Sequence, residues 1–124
     1  LWLDTLRRQW SDEVLEACHL DRATMPALAE GPDVTGKVQA PVARALGIGE
    51  VPIVAGGGDN AAAAIGCGVI RAGQAFLSLG TSGVIFLADD DYRPHPRAAT
   101  HTFCHALPRR WHQMSVMLSA AGAV

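Results

Sequence analysis

Residues 51–66 have the sequence VPIVAGGGDNAAAAIG, and this stretch decides the fold assignment. An apolar run leads into three consecutive glycines, which are followed by Asp59, Asn60 and a run of alanines. The order predicts a short buried strand, a turn, and a helix that begins at Asp59. Ligands of α/β proteins gather where strands end in such turns. The sequence therefore indicates a candidate site at Asp59.

The role of Asp59 has two interpretations, which are compatible. The start of a helix favours negative charge, and an ionised carboxylate there can accept a proton from a substrate hydroxyl. Alternatively Asp59 only caps the helix, because Asp is a common N-cap residue. Asn60 can bind a polyol hydroxyl, or it faces solvent in the first helical turn. The small residues Ala61–Ala64 predict close packing of this helix against a second element.

The first 50 residues are predicted to contain two short helices and a connector. Ser11 can cap the first helix, with acidic residues in its first turn. Residues 38–49 predict a short strand end followed by the second helix, with Pro41 near its start and Gly47 as its end. Residues 21–36 are rich in Pro and Gly and predict a connector with one short helical turn.

Residues 74–90 predict a hairpin, because two apolar runs flank Gly80-Thr81-Ser82-Gly83. The runs are continuous rather than alternating, so we expect both faces of these strands to be covered. The turn offers backbone N–H groups and two hydroxyls that can bind phosphate oxygens. The alternative is an ordinary hairpin turn. A second strand pair around Pro108 and a helix starting at residue 119 complete an α/β chain with a mixed sheet.

Composition makes two classes of partner unfavourable. The chain has 124 residues, a net charge of −2 and 6% aromatic residues, which does not favour nucleic acid or an anionic membrane surface. The odd number of widely spaced cysteines indicates a reducing compartment rather than a disulfide framework. We expect Cys67 to be buried and inert.

Two further expectations concern the histidines and the chain ends. His101, Cys104 and His105 have a spacing that is poor for zinc, and His105 is expected to be hydrogen-bonded and partly buried. The chain begins at Leu1 without a Met and stops in an apolar run, so we expect a fragment of a longer protein.

Two segments carry a resemblance to a known family: VAGGGDNAAAAIGCGVIRAGQAFLSLGTSGV and HTFCHALPRRWHQMSVMLSAA. With them the chain resembles the FGGY carbohydrate kinases, and the second segment narrows the resemblance to members that act on D-xylulose. The family implies an RNase H-like, actin-like ATPase fold with the active site between two lobes. Residues 1–50 would be the end of the first lobe and residues 51–124 the start of the second. The resemblance implies the following roles: Asp59 as catalytic base, Asn60 as a sugar contact, and Gly80, Thr81, Ser82 and Gly83 as the turn that binds ATP phosphates.

The function implied by the resemblance is a cytoplasmic kinase that uses ATP with Mg²⁺ to form D-xylulose 5-phosphate. Its partners would be the sugar and ATP, and no nucleic acid or membrane is expected. The protein itself would hold no metal ion, and a homodimer is one possible assembly. The isolated fragment is expected to be inactive because much of the family's machinery lies outside it. Three alternatives stay open: a kinase of another ketose or polyol, a non-catalytic actin-like or sugar-sensing protein, and an α/β domain with no site.

Overall fold

The computed structural model describes residues 2–123, which form three antiparallel sheets. The strands are β1 (Leu3–Asp4), β2 (Gln9–Trp10), β3 (Val34–Lys37), β4 (Pro52–Val54), β5 (Ala75–Leu79), β6 (Gly83–Asp89), β7 (His101–Cys104) and β8 (Trp111–Met117). β1 pairs with β2, β3 pairs with β4, and the remaining strands form a four-stranded sheet in the order β5-β6-β8-β7. The α-helices are α1 (Asp12–Ala17), α2 (Ala40–Leu46) and α3 (Asp59–Gly66).

The helix boundaries follow from local chemistry, as predicted. Ser11 is the N-cap of α1, and its side chain accepts a hydrogen bond from the backbone N–H of Val14. Gly47 ends α2 in the left-handed conformation, with φ of 67°, which a glycine adopts without steric cost. The connector contains one short 3₁₀ turn at Arg22–Thr24, capped by the Asp21 side chain. These expectations are confirmed.

The two hairpins are also confirmed. Leu79 pairs with Gly83 across the first turn, and Cys104 pairs with Trp111 across the second. Pro108 lies in the connection between β7 and β8, where no ladder hydrogen bond is lost.

Several expectations about the strands are wrong. Every strand pairing within residues 2–123 is antiparallel, so the sheet is not mixed. The strand at residues 52–54 is exposed rather than buried, with Ile53 46% accessible, because it pairs only with β3 in a two-stranded ribbon. Leu77 and Ile85 are exposed, so the four-stranded sheet is covered on one face only by the described residues. The end of the described chain is a 3₁₀ turn at Ala121–Ala123.

The core lies between α3 and the four-stranded sheet. Ala64 of α3, Phe86 and Ala88 of β6, and Val69 are buried together, with Phe76 packed against them. Ala64 places α3 against the sheet through this core. A very close approach of a second element to the small residues Ala61–Ala64 stays a prediction. Among residues 2–123, no helix is long and apolar enough to cross a membrane.

Candidate active site

Asp59 is the first residue of α3, and its carboxylate is exposed. Its Oδ1 accepts hydrogen bonds from the backbone N–H of Asn60 at 2.7 Å and from Asn60 Nδ2 at 3.2 Å. The interpretation that Asp59 is the N-cap is wrong. The N-cap is Gly58, and no side chain makes a capping hydrogen bond there. Within residues 2–123, Oδ2 has no hydrogen-bond partner. That oxygen is available to accept a proton.

An open cavity of about 370 Å³ lies next to Asp59. It is bounded by the start of α3, the β1 hairpin, and strands β7 and β8. Thr5, Asp59 and Asn60 are among its lining residues, together with the His112 ring, and much of the remaining wall is apolar. A concave site with a few convergent polar groups on an apolar wall is typical of small-molecule binding. A second cavity of about 340 Å³ adjoins it across Gly58 and is lined by Arg8, Glu30 and His105, among others.

The glycine turn before Asp59 is required by a close backbone approach. A Cβ added at Gly57 would lie 2.9 Å from the Cβ of Ala106. A Cβ added at Gly31 would overlap with the carbonyl oxygen of Ala106. The backbone N–H of Gly56 donates to the carbonyl of Gly31 at 2.9 Å. These contacts hold the start of α3 against the segment that follows β7.

The hairpin at residues 80–83 does not line the cavity beside Asp59. It lies near Met117, the end of β8 away from the cavity, because Gly83 pairs with Met117. Its carbonyls are bonded to the final turn: Ala120 N–H donates to Thr81 O and Ala121 N–H donates to Gly80 O. In the described part of the chain, the N–H groups of Thr81 and Ser82 have no acceptor. Two exposed donors are therefore available to an anion at this turn.

His105 has both ring nitrogens bonded, which confirms the expectation for it. Nδ1 accepts from the backbone N–H of Leu107 at 3.0 Å, so Nε2 carries the proton and donates to Val69 O at 3.2 Å. Burial lowers the pKa of His105, and the neutral ring serves as a structural link between β7 and the end of α3.

His112 is a buried histidine beside the cavity that the sequence did not single out. It is 4% exposed, stacks on Phe86 with ring centroids 4.2 Å apart, and has no partner for Nδ1. Burial, and then the nearby His105, lowers the pKa of His112 to about 4, so the ring is neutral at pH 7. A lone histidine in a strand gives little sequence signal, and burial without a partner follows from tertiary packing.

A charged network that links the β1 hairpin to β8 was also not predicted. Arg8 Nε lies 3.0 Å from Glu30 Oε1, so the two side chains form an ion pair. The geometry of this pair is not that of a hydrogen bond. The guanidinium lies 4.0 Å from the ring centroid of Trp111, a cation–π distance. Glu30 Oε1 also accepts the backbone N–H of Arg109 at 2.8 Å. The network borders the second cavity.

The cysteines differ from expectation at one position. All three are free, but Cys67 is exposed rather than buried. Cys104 is half-buried, and burial raises the pKa of its thiol. Over residues 2–123, no group of three or more His, Cys, Asp and Glu side chains could hold a metal ion.

Comparison with known proteins points to one family. The model for the FGGY family of carbohydrate kinases, N-terminal domain, matches residues 1–66. Xylulose kinase of Escherichia coli (strain K12) is 56% identical over 124 residues, which is all of this chain and 26% of the relative. Xylulose kinase of Lactococcus lactis is 38% identical over 125 residues, again all of this chain and 25% of the relative. The chain thus spans about a quarter of the length of these curated relatives.

Solved structures agree with this match. A crystal structure of a xyloylose kinase from Brucella ovis is 50% identical with a TM-score of 0.94, over 98% of this chain and 25% of that one. Xylulose kinase from Rhodospirillum rubrum, at 22% identity, matches with a TM-score of 0.89 over 98% of this chain and 25% of its own. The predicted RNase H-like, actin-like ATPase fold is confirmed, with this chain as one part of it.

Proposed function

Because the chain belongs to the FGGY family of carbohydrate kinases, we propose that it is part of an ATP-dependent kinase that converts D-xylulose to D-xylulose 5-phosphate. The observation that carries the proposal is the open cavity in which Asp59 presents an unpaired carboxylate oxygen beside Asn60. The substrate is suggested by the names of the curated relatives, two of which are 56% identical to this chain.

Asp59 is proposed as the general base. Its Oδ1 is held by Asn60, which fixes the carboxylate plane and leaves Oδ2 free. Oδ2 accepts the proton of a sugar hydroxyl while the hydroxyl oxygen forms a bond to the γ-phosphorus of ATP. The bond from that phosphorus to the β–γ bridging oxygen breaks, and ADP leaves with the electron pair. The side-chain amide of Asn60 is proposed to contact a neighbouring hydroxyl of the sugar.

The ATP side of the site is proposed to include the turn Gly80-Thr81-Ser82-Gly83. The free N–H groups of Thr81 and Ser82 support this role, because such donors bind phosphate oxygens. ATP enters as its Mg²⁺ complex, so the metal is part of the substrate. The turn lies beside Met117 at one end of β8, whereas Asp59 is the first residue of α3, and ATP bound in an extended conformation would have to bridge them. The division into lobe segments at residue 50 stays a prediction.

The test is a substrate panel on the full-length protein with Mg²⁺ and ATP. Phosphorus NMR should show D-xylulose 5-phosphate, and kcat/KM should be highest for D-xylulose among ketoses and polyols. A higher kcat/KM for another ketose or polyol would support the rival kinase of the same family. Absence of ADP formation with every sugar would support the non-catalytic alternatives. A cytoplasmic location and a homodimer remain proposals; the three free thiols support the former.

A further inference from the structure

Glu30 lies where the turn between β1 and β2 meets the connection between β7 and β8. Its Oε1 accepts the backbone N–H of Arg109 at 2.8 Å and lies 3.0 Å from Arg8 Nε. Arg8 Nη2 in turn donates to the carbonyl oxygen of Arg110 at 3.4 Å. Two side chains of opposite charge therefore hold the N–H of one residue and the carbonyl of the next. These contacts form a backbone clamp.

The clamp acts on a residue whose backbone conformation needs support. Arg109 has a φ of 55°, in the left-handed region, which a residue with a Cβ adopts only at a cost in free energy. Such conformations persist where the surrounding contacts over-determine them. The bond from the Arg109 N–H to Glu30 is one such contact. Loss of the Glu30 acceptor is therefore expected to let the connection between β7 and β8 relax.

The connection held by the clamp packs on the glycine turn that precedes Asp59. Ala106 belongs to this connection, and its Cβ would lie only 2.9 Å from a Cβ added at Gly57. The two segments thus lie too close for even one added methyl group. A displacement of the connection removes the surface on which the turn rests, and the turn leads directly into Asp59.

A second route runs through the residue next to Glu30. Gly31 has no room for a Cβ beside the carbonyl oxygen of Ala106, and its own carbonyl accepts the N–H of Gly56 at 2.9 Å. Glu30 therefore contacts the connection through its side chain and the glycine turn through the next peptide unit. In the described part of the chain it lines the second cavity and not the cavity beside Asp59. An effect of Glu30 on the chemistry must pass through the turn.

We propose that Glu30 is a positioning residue for Asp59: it holds the connection between β7 and β8 against the glycine turn and so sets the place of the carboxylate. The proposal rests on the proposed function, since it assigns support to the same general base. Glu30 itself contacts neither the sugar nor ATP. Its position matters because a shift of about 1 Å in a reacting group can lower a rate about 100-fold.

The test is a double-mutant cycle on the full-length protein, read as the rate of phosphoryl transfer in a single turnover at saturating D-xylulose. Glu30→Ala removes the acceptor for the Arg109 N–H and should slow transfer about tenfold, part of the loss that a shift of about 1 Å causes. In the Asp59→Asn background the same substitution should slow transfer by less than about twofold, because no base is left to position. Glu50→Ala is the control, since Glu50 also lies outside the helices and strands but is exposed, and it should leave the rate unchanged.

Glu30→Gln separates the hydrogen bond from the ion pair. The amide oxygen of glutamine can still accept the N–H of Arg109, whereas the charge that pairs with Arg8 is lost. Transfer should therefore stay within about threefold of the unsubstituted rate. If Glu30→Ala fails to fold, Glu30→Met fills the same space without an acceptor and takes its place in the cycle.

A purely structural role of Glu30 would slow transfer by the same factor with and without Asp59, and that result overturns the proposal. It is also overturned if Glu30→Ala leaves transfer unchanged, or if Glu30→Gln is as slow as Glu30→Ala. Any of these results together with phosphorylation of D-xylulose by the unsubstituted protein overturns this proposal alone. Failure of the unsubstituted protein to phosphorylate any sugar overturns the proposed function with it.

Discussion

Alanine at Gly57 is expected to displace the turn that positions Asp59. The added Cβ would lie 2.9 Å from the Cβ of Ala106, where real Cβ atoms are essentially never closer than 3.0 Å. Carbon atoms pack best at about 3.5–4.0 Å, so the two segments must separate by roughly 0.6 Å or more. Neither methyl can rotate away, because each is fixed to its backbone. The strain therefore falls on the turn itself or on the segment around Ala106.

The segment around Ala106 is the stiffer of the two. Its neighbour His105 is bonded to Val69 O and to the N–H of Leu107, so movement there would break bonds of a buried ring. Overpacking of this kind costs about 1–3 kcal/mol, more than the roughly 0.4–1 kcal/mol that replacing glycine removes from the unfolded-state entropy. We expect a net loss of about 1–2 kcal/mol in unfolding free energy. Because a shift of about 1 Å in a reacting group can lower a rate about 100-fold, we expect kcat/KM to fall about tenfold.

The assay compares Gly57→Ala with Gly36→Ala in the full-length protein, by urea unfolding and by kcat/KM for D-xylulose. A Cβ at Gly36 meets nothing within 4 Å, so that variant should keep its activity. Adding Ala106→Gly removes the contacting methyl and should restore part of the activity of Gly57→Ala. The reasoning is refuted if the two single glycine variants behave alike, or if Ala106→Gly does not improve Gly57→Ala.

Further predictions follow from the buried ring, the charged network and the ATP turn. Burial, and then a neighbouring imidazole, lowers the pKa of His112 from 6.5 to about 4, so the unfolded chain binds more protons in this interval. The neutral ring should contribute fully to the free energy of unfolding above pH 6.5. This free energy should fall by about 2–3 kcal/mol as the pH drops to 4, and urea titrations of His112→Phe should lack the fall. Arg8→Leu removes the cation over Trp111 and should lower the free energy of unfolding by about 1–2 kcal/mol. Arg22→Leu removes one partner of an exposed ion pair and should change the midpoint of urea unfolding little. Gly83→Ala places a Cβ 3.1 Å from an alanine Cβ in the final turn, and initial-rate assays should show the KM for ATP raised by about tenfold with sugar binding unchanged.

Elements with a local chemical signal were predictable from the sequence. Ser11 and Gly47 set helix ends through a cap and a left-handed φ, which are properties of one or two residues. The turn at residues 80–83 is likewise specified by its own residues. The helix start at Asp59 was also predictable, but the alternative that Asp59 caps α3 is wrong, because Gly58, with φ of −59° and ψ of 158°, is the N-cap.

Features that depend on distant partners were not predictable. The two-residue strands β1 and β2 have almost no pattern to recognise and exist through pairing with each other. The exposure of Ile53 and Leu77 depends on which elements cover them, and apolarity alone does not specify a covering element. Within the site, Asp59 was identifiable from its place after a glycine turn. The burial of His112 without a partner for Nδ1 was not, because it follows from packing against distant residues.

The central claim is that Asp59 takes the proton of the attacking hydroxyl, and single-turnover kinetics test it most directly. Asp59→Asn is compared with Asp12→Asn, since Asp12 is the first residue of α1 as Asp59 is of α3. With preformed sugar complexes mixed with excess Mg²⁺ and ATP, Asp59→Asn should slow phosphoryl transfer by about 10²–10⁴-fold, the contribution typical of a general base. Its dissociation constant for D-xylulose should stay within about threefold of the unsubstituted value, and Asp12→Asn should change neither quantity by more. An unchanged transfer rate in Asp59→Asn would contradict the claim, as would a slowing that Asp12→Asn reproduces.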